Sequence, residues 1–205
     1  MHHLPIAQDV LLAASKTNAK KKMNIEKAIN LLLEYNVPEH IINHSFQVTK
    51  VAYVIAKELT DAGVPLNNGL ILTSALLHDI TKYRSILNKS EDHAETGGEL
   101  LSKLGYPDIA EIIENHIILR DNGYLFFEKM IVFYSDKRVK HVEIVSLRER
   151  YRDLTERYGK TLKSKILIKE GYRRAKKIEE KIFCNLKIKP SILKFLNNIT
   201  EEANL

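Results

Sequence analysis

The sequence of 205 residues predicts an all-α fold. Along most of the chain, apolar residues recur at intervals of three and four, which is the spacing of one face of an α-helix. Residues that start and stop helices divide this pattern into segments, and no segment alternates convincingly with period two, as a half-buried strand does. We therefore predict a bundle of helices joined by turns and short loops.

The individual helices follow from this spacing and from the residues that bound it. Pro38 suits the first turn of a helix, Asn67 and Ser146 are N-cap residues, and Gly105 and Gly159 act as stops. We predict helices over about 24–37, 39–61, 67–79, 93–104, 107–116, 125–137, 146–158 and 162–185, with a short one after Pro190. The polar segment 83–92 is expected to be a loop, and Asp121-Asn122-Gly123 a turn.

Composition and charge limit the class of protein. Hydrophobic residues make up 44% and charged residues 28% of the chain, which is typical of an ordinary soluble domain. The single cysteine, Cys184, excludes an internal disulfide and favours a reducing compartment. No apolar run approaches the roughly 20 residues that span a bilayer, and the first residues lack the pattern of a signal peptide. We expect a cytoplasmic protein without a membrane segment.

The net charge of +6 is concentrated near the C-terminal end. Between Arg157 and Lys189 there are twelve Lys or Arg residues against three Glu, so this segment carries +9 and the remainder −3. Apolar residues interleave with the cations from Leu162 to Asn185, which predicts an amphipathic helix packed on the core or on a partner. The same basic helix leaves nucleic-acid binding open as an alternative.

The pair His78-Asp79 ends an apolar run over residues 70–77 that is expected to be buried. Two strong metal ligands in this position are difficult to explain as solvated surface. Further candidate ligands lie at wide spacing along the chain: His44, His93, His116 and Asp136. Imidazole and carboxylate are the usual ligands of catalytic transition-metal sites. Taken singly, each histidine is more often a core or boundary residue, and Asp136 suits a pairing with Lys137 or Arg138.

The order His44, His78-Asp79, Asp136 resembles the HD superfamily of metal-dependent phosphohydrolases. Residues 76–82, Leu-Leu-His-Asp-Ile-Thr-Lys, are similar to the signature of that family, and the resemblance covers about residues 25–145. His93 and His116 match a subgroup that adds two histidines before the last aspartate. Thr81 departs from the pattern, since the family usually has glycine there.

The resemblance implies an HD-domain helical bundle over 23–145. The composition of the flanking segments predicts an N-terminal extension over 1–22, which is a candidate for disorder, and a basic C-terminal helical extension over 146–205. It also implies two divalent ions bridged by Asp79, with iron, manganese, zinc, cobalt or nickel all suitable. The ligands of the first ion would be His44, His78, Asp79 and Asp136, and those of the second Asp79, His93 and His116. A metal-activated water would then attack phosphorus.

Two cations near the HD pair are candidate substrate contacts. Lys82 follows Asp79 by three residues and would direct an ammonium group toward a phosphate, so we assign it a catalytic and substrate-binding role. Arg84 is a second candidate for substrate binding, although a solvated arginine explains it equally well. His40, four residues before His44, is expected to be exposed. Gly97-Gly98 predicts close helix packing near the site.

The expected activity is hydrolysis of a phosphoester or phosphoanhydride bond in a nucleotide or another small phosphate compound. Other catalytic chemistries lack their motifs, since there is no Gly-rich phosphate loop, no Cys-x-x-Cys pair and no Gly-x-Ser-x-Gly elbow. Two alternatives from other classes remain open: an RNA-binding or RNA-processing protein that uses the basic helix, and a nucleotide sensor that keeps the metals without turnover. The oligomeric state is not predicted.

Overall fold

The computed structural model describes residues 22–88, 92–120, 126–184 and 186–198. These residues are mainly α-helical, which confirms the predicted all-α class. We number the α-helices α1 Ile25–Glu34, α2 Glu39–Asp61, α3 Asn68–Leu77, α4 Lys82–Leu87, α5 His93–Lys103, α6 Pro107–Glu114, α7 Phe126–Lys137, α8 Leu147–Tyr158 and α9 Leu162–Phe183. A 3₁₀ helix, Pro190–Asn198, follows α9.

Side chains cap the helices at the predicted starts. The Asn67 side chain accepts a hydrogen bond from the backbone N–H of Leu70 at 3.1 Å. At the start of α8, the Ser146 hydroxyl accepts from the backbone N–H of Glu149, and the Glu149 carboxylate accepts from the backbone N–H of Ser146. These bonds satisfy N–H groups that have no partner inside the helix, so both predicted caps are confirmed.

One local prediction is wrong, and the chain contains a short hairpin that the sequence did not indicate. The predicted loop over 83–92 contains α4, because the chain resumes helical backbone bonding directly after the HD pair. The N–H of Ser85 donates to the carbonyl of Thr81 at 3.1 Å, and the N–H of Asn88 to that of Arg84 at 2.9 Å. The chain also forms an antiparallel hairpin, β1 Val139–Lys140 and β2 Glu143–Ile144, whose strands are too short to show a period-two pattern. Residues 1–21 and 89–91 and the predicted turn at 121–123 lie outside the described residues.

Helix α3 lies at the centre of the bundle. Its Ile71 packs into one apolar cluster with side chains of α2, α7, α8 and α9, while its Leu77 packs into a second cluster with α1, α5 and α6. A helix that is apolar around its whole circumference requires partners on every side. The end of α3 therefore places His78 and Asp79, which are 0% and 1% exposed, in the middle of the protein.

The chain after residue 145 packs against the rest of the bundle. Ala175, Ile178 and Ile182 of α9, with Leu193 of the 3₁₀ helix, belong to the same apolar cluster as α2 and α7. The apolar stripe of the basic helix therefore packs on this chain, whereas a domain division at 145 stays a prediction. None of the helices in the described ranges is long and apolar enough to cross a membrane.

Candidate metal centre

The six residues predicted as ligands converge on one place in the bundle. His44 lies in α2, and His78 and Asp79 lie in the turn after α3. His93 is the first residue of α5, His116 follows α6, and Asp136 lies in the last turn of α7. We call this set the His–Asp cluster: His44, His78, Asp79, His93, His116 and Asp136. All of its members are buried except His93, whose side chain is 23% exposed.

The Asp79 carboxylate is shared between two groups of histidines. Its Oδ2 lies 3.3 Å from Nε2 of His78 and 3.9 Å from Nε2 of His44. Its Oδ1 lies 3.2 Å from Nε2 of His93 and 3.6 Å from Nε2 of His116. Each group offers three potential ligand atoms within 4.8 Å of one another, so each could hold a metal ion.

Asp136 completes the first group. Its Oδ1 lies 3.2 Å from Nε2 of His44 and 3.7 Å from Nε2 of His78. Its Oδ2 accepts a hydrogen bond from Lys137 at 2.6 Å, and the same ammonium donates to the backbone carbonyl of His116 at 3.1 Å. Lys137 therefore connects the end of α7 to the second group of ligands.

Backbone carbonyls orient three of the four imidazoles. Nδ1 of His78 lies 2.8 Å from the carbonyl oxygen of Ala75, and Nδ1 of His116 lies 2.6 Å from that of Ile113. Nδ1 of His44 lies 2.7 Å from the carbonyl oxygen of His141. A proton on each Nδ1 leaves Nε2 as the free acceptor, which is the usual arrangement of metal-ligating histidines.

Sequence reasoning assigned no role to His141. The side chain is exposed, but the residue occupies the turn of the hairpin with a φ of 54° and directs its carbonyl to His44. A left-handed conformation is uncommon for a residue with a side chain, so the turn is specifically shaped. The spacing of ligands along the sequence contains no signal for a backbone contact of this kind.

Close packing positions His93. A Cβ atom on Gly97 would lie 3.1 Å from the Ile113 side chain and 3.3 Å from Oγ1 of Thr81, so α5 approaches the HD turn closely, as predicted. The Thr81 hydroxyl donates to the backbone carbonyl of His93 at 2.8 Å. Thr81, which stands where the family usually has glycine, thus anchors the first residue of α5.

The electrostatics of the cluster favour two ionised carboxylates. Burial alone raises the pKa of Asp79, but His78 and Lys82 outweigh it and hold that pKa well below its usual range. Burial likewise raises the pKa of Asp136, and Lys137 and His44 reverse the effect. Burial lowers the pKa of His116, which keeps this imidazole in the neutral form that binds metals.

Two buried atoms of the cluster support its fit to metal ions. Within the described part of the chain, Nε2 of His78 and Oδ1 of Asp79 have no hydrogen-bond partner. Such atoms lose their hydration without compensation, which costs about 1–3 kcal/mol each. Both are ligand atoms in the two groups described above. The donor set of imidazoles and carboxylates therefore fits divalent transition metals.

A cavity of about 240 Å³ lies against the cluster, and cationic side chains line it. Lys82 is one of them, and its ammonium donates to Oδ2 of Asp79 at 2.5 Å. Arg150 and Arg157 of α8 also line this cavity, although sequence reasoning assigned them no role in the site. The predicted exposure of His40 is confirmed, and this residue also lines the cavity.

Arg84 is exposed and lines a different cavity, beside Leu87 and Lys103, so its predicted substrate contact stays a prediction.

Two curated relatives share part of this chain. An uncharacterized protein of Methanocaldococcus jannaschii is 31% identical over 96 residues, which cover 46% of this chain and 54% of that protein. A tRNA (cytidine(56)-2'-O)-methyltransferase of Thermoplasma volcanium is 31% identical over 140 residues, which cover 57% of this chain and 38% of that enzyme. The chain therefore spans about half the length of the first relative and less of the second. No solved structure matches the chain.

The match to a family model is more extensive. The model of the HD domain matches residues 41–182, which is more than half of the chain and includes every member of the His–Asp cluster. HD domains bind divalent metals and are typical of metal-dependent phosphohydrolases. With the cluster and the match considered together, the chain belongs to the HD domain family.

Proposed function

We propose that the protein is a metal-dependent phosphohydrolase that cleaves a phosphoester or phosphoanhydride bond in a nucleotide or another small phosphate compound. The observation that carries the proposal is the shared carboxylate of Asp79, which offers one oxygen to His44 and His78 and the other to His93 and His116. A bridging carboxylate between two imidazole groups suits a site for two divalent ions.

The residues of the cluster would hold the ions in two sets. His44, His78 and Asp136 would bind the first ion with one oxygen of Asp79, and His93 and His116 would bind the second with the other oxygen. Ions bound there would supply a water that ionises near neutral pH and positive charge that stabilises the transition state. Iron, manganese, zinc, cobalt and nickel all suit this donor set.

The protein itself would orient the ligands and bind the phosphate. The carbonyls of Ala75, Ile113 and His141 keep three Nε2 atoms directed into the cluster, so little reorganisation is needed when ions bind. Lys82 lines the adjacent cavity and would contribute an ammonium to the phosphate group that reacts. This cavity is the proposed site for a small phosphorylated partner.

The test combines metal analysis with a substrate panel. Protein reloaded with Mn²⁺ is expected to hold close to two ions per chain and to release phosphate from at least one nucleotide or from p-nitrophenyl phosphate. The variant Asp79→Asn should lose activity, while Asp61→Asn, which changes a carboxylate that is 58% exposed on α2, should keep it. Two bound ions without turnover of any compound would contradict the proposal and favour a non-catalytic nucleotide sensor.

RNA binding is a second candidate, supported by a separate surface. A cavity of about 690 Å³ between α8 and α9 is lined by Arg148, Lys165, Lys169 and Tyr172, among others. Cations beside an aromatic ring are typical of surfaces that bind single-stranded nucleic acid. The Thermoplasma volcanium relative is named as a tRNA methyltransferase, which makes tRNA the natural first probe.

The RNA candidate predicts binding that depends strongly on salt. Retention of tRNA should weaken as salt rises, and Lys165→Ala with Lys169→Ala should reduce the slope of log affinity against log salt by about one per lost phosphate contact. Lys57→Ala, which removes an exposed lysine on α2, provides the matched control. Equal salt slopes in both variants would exclude this surface as an RNA site.

A further inference from the structure

We propose that Arg150 and Arg157 form a second anion site beside the His–Asp cluster, so that the substrate carries at least one phosphate group in addition to the one that reacts. This inference rests on the proposed phosphohydrolase function and defines its substrate class more closely. The sequence around residue 150 contains no phosphate-binding motif, and the packing of α8 brings both arginines to the cavity beside the cluster.

The two arginines share one cavity with the reacting end of the site. Arg150 and Arg157 line the same volume of about 240 Å³ as Asp79 and Lys82. The Lys82 ammonium, which donates to Oδ2 of Asp79 at 2.5 Å, lines this cavity together with both arginines. A single bound molecule can contact both the cluster and α8.

The cations of α8 are only partly neutralised. Asp153 lies 3.3 Å from Nη1 of Arg150, accepts a hydrogen bond from Arg157, and lies 3.6 Å from Nζ of Lys140. One carboxylate thus faces three cations, which leaves an excess of two positive charges in this group. Burial raises the pKa of Asp153, but Arg157 outweighs it and keeps the carboxyl ionised. Asp153 orients the guanidinium groups without cancelling their charge.

Arg150 has the features of a binding group more than of a surface residue. Its side chain is only 13% exposed, and within the described residues its Nε is buried without a hydrogen-bond partner. A guanidinium offers five N–H donors in a planar fork that matches the oxygens of a phosphate. An anion in the cavity would accept hydrogen bonds from this guanidinium group and supply the missing negative charge.

The size of the cavity limits what it encloses. Its volume of about 240 Å³ is below the roughly 300–1,000 Å³ of sites that enclose a whole drug-sized ligand. The apolar residues that line it include Ile86, Val142 and Tyr158, which are all more than half exposed. The geometry therefore suits a chain of phosphates inside the cavity, with an organic group at the apolar rim.

The experiment uses phosphonates that the protein cannot hydrolyse. Methylphosphonate carries one phosphonate group, methylenediphosphonate carries two, and phosphonoacetate replaces the second by a carboxylate. Each is titrated by calorimetry into full-length protein loaded with Mn²⁺ and dialysed free of excess ion. Wild-type protein should bind methylenediphosphonate most tightly. Arg150→Met and Arg157→Met should each weaken its binding by about 10-fold or more, since each removes one charge-assisted contact, and should weaken methylphosphonate binding much less.

Matched variants separate binding from folding. Arg150→Lys keeps the charge and should recover part of the affinity that Arg150→Met loses. Arg173→Met, which changes an exposed arginine of α9 that does not line the cavity, should bind all three compounds as wild-type protein does. Circular dichroism on each variant checks the fold. If Arg150→Met is misfolded, Arg157→Met decides the question, because that side chain is 38% exposed.

The outcomes also distinguish this inference from the proposed function. Phosphate release from p-nitrophenyl phosphate with unchanged diphosphonate affinity in both arginine variants would overturn the second anion site and leave the phosphohydrolase assignment intact. Equal affinity of wild-type protein for phosphonoacetate and methylenediphosphonate would overturn the inference that the substrate carries a second phosphate group, since the site would then accept any second anion. Failure of wild-type protein to bind any of the three, with no turnover of any phosphate compound, would refute both.

Discussion

Two buried polar clusters in this bundle satisfy their charges in different ways. In the first, Arg138 is 1% exposed, donates from Nε to the carbonyl of Val145 at 2.6 Å and from Nη1 to the Tyr134 hydroxyl at 2.6 Å. That hydroxyl donates in turn to Glu179 at 2.6 Å. In the second, the His–Asp cluster, Nε2 of His78 and Oδ1 of Asp79 lack hydrogen-bond partners within the described residues.

The difference separates a structural role from a functional one. The Arg138 cluster links α7 to α9 and, through the carbonyl of Pro190, to the 3₁₀ helix, and its charges are paired inside the protein. The His–Asp cluster instead gathers two carboxylates and four imidazoles whose free atoms face each other. Buried polar atoms without partners destabilise a fold, and such an arrangement is retained where a ligand or a metal ion binds.

The largest expected effect is the loss of catalysis and of metal-dependent stability in Asp79→Asn. Because its carboxylate is shared by both groups of ligands, its replacement should reduce phosphate release to background. In wild-type protein, Mn²⁺ at about 100 times its Kd should raise the free energy of unfolding by about 2.7 kcal/mol, and this increase should be absent in the variant. Thermal unfolding with and without Mn²⁺ measures it. An equal increase in both proteins would remove Asp79 from the site.

Arg138→Met should do the opposite of Asp79→Asn and lower the stability of the fold without changing metal binding. This change removes the buried guanidinium from the carbonyls of Val145 and Pro190 and from Oε2 of Glu179, whose other oxygen keeps its contact with Lys176. Because each buried acceptor that loses its donor costs about 1–3 kcal/mol, the free energy of unfolding should fall by about 3–5 kcal/mol. Metal content of the folded fraction should not change, because Arg138 contacts no member of the His–Asp cluster in the described interactions. Urea unfolding and metal analysis on the same sample test this. The exposed Arg173→Met control should change stability by no more than about 0.5 kcal/mol.

Within the His–Asp cluster, the two groups of ligands can be separated. His93→Ala and His116→Ala each remove a ligand from one side of Asp79 only, so each variant should retain about one ion per chain where wild-type protein holds two. His40→Ala is the control, since His40 lines the cavity but does not belong to either group. Two ions retained in both variants would assign these histidines to another role.

Much of the candidate site and of the helix boundaries was predictable from the sequence. The predicted helix ends and the apolar run before His78 show where metal-ligating side chains lie in apolar surroundings. The family resemblance predicts that these side chains form one site. The caps at Asn67 and Ser146 and the close approach at Gly97 follow from local chemistry, because a hydroxyl, an amide or a missing side chain acts within a few residues.

Other features could not be predicted because they depend on tertiary contacts. The carbonyl of His141 reaches His44 across 97 residues, and no side-chain pattern encodes a backbone acceptor. Arg150 and Arg157 appear in the sequence as ordinary cations of a basic region, and only the packing of α8 places them over the cluster. Helix α4 was not predicted for a different reason, since the polar segment 83–92 suits a loop as well as a short helix.

The smallest effect on the free energy of unfolding is expected at an exposed polar group, the N-terminal cap of α8. The side-chain and backbone hydrogen bonds from Ser146, with Lys194, lower the pKa of Glu149 to about 2. A carboxyl with a lowered pKa stabilises the fold fully above its ordinary pKa of 4.5, and this contribution disappears as the pH falls to about 2. Because the Glu149 side chain is 38% exposed, solvent screening limits the effect to roughly 0.5–1 kcal/mol.

Glu149→Gln should therefore be less stable than wild-type protein at pH 7, and the difference should narrow progressively below pH 4.5. Urea unfolding at pH 7, 5 and 4 measures the difference while the bundle remains folded. Glu156→Gln is the matched control on the same helix, since that side chain is 69% exposed and lies 3.9 Å from Arg152. Its stability should stay within about 0.5 kcal/mol of wild-type at every pH. The same pH dependence in both variants would contradict this prediction. The hydrogen bonds of the cap would then add nothing to the stability that any exposed carboxylate on α8 provides.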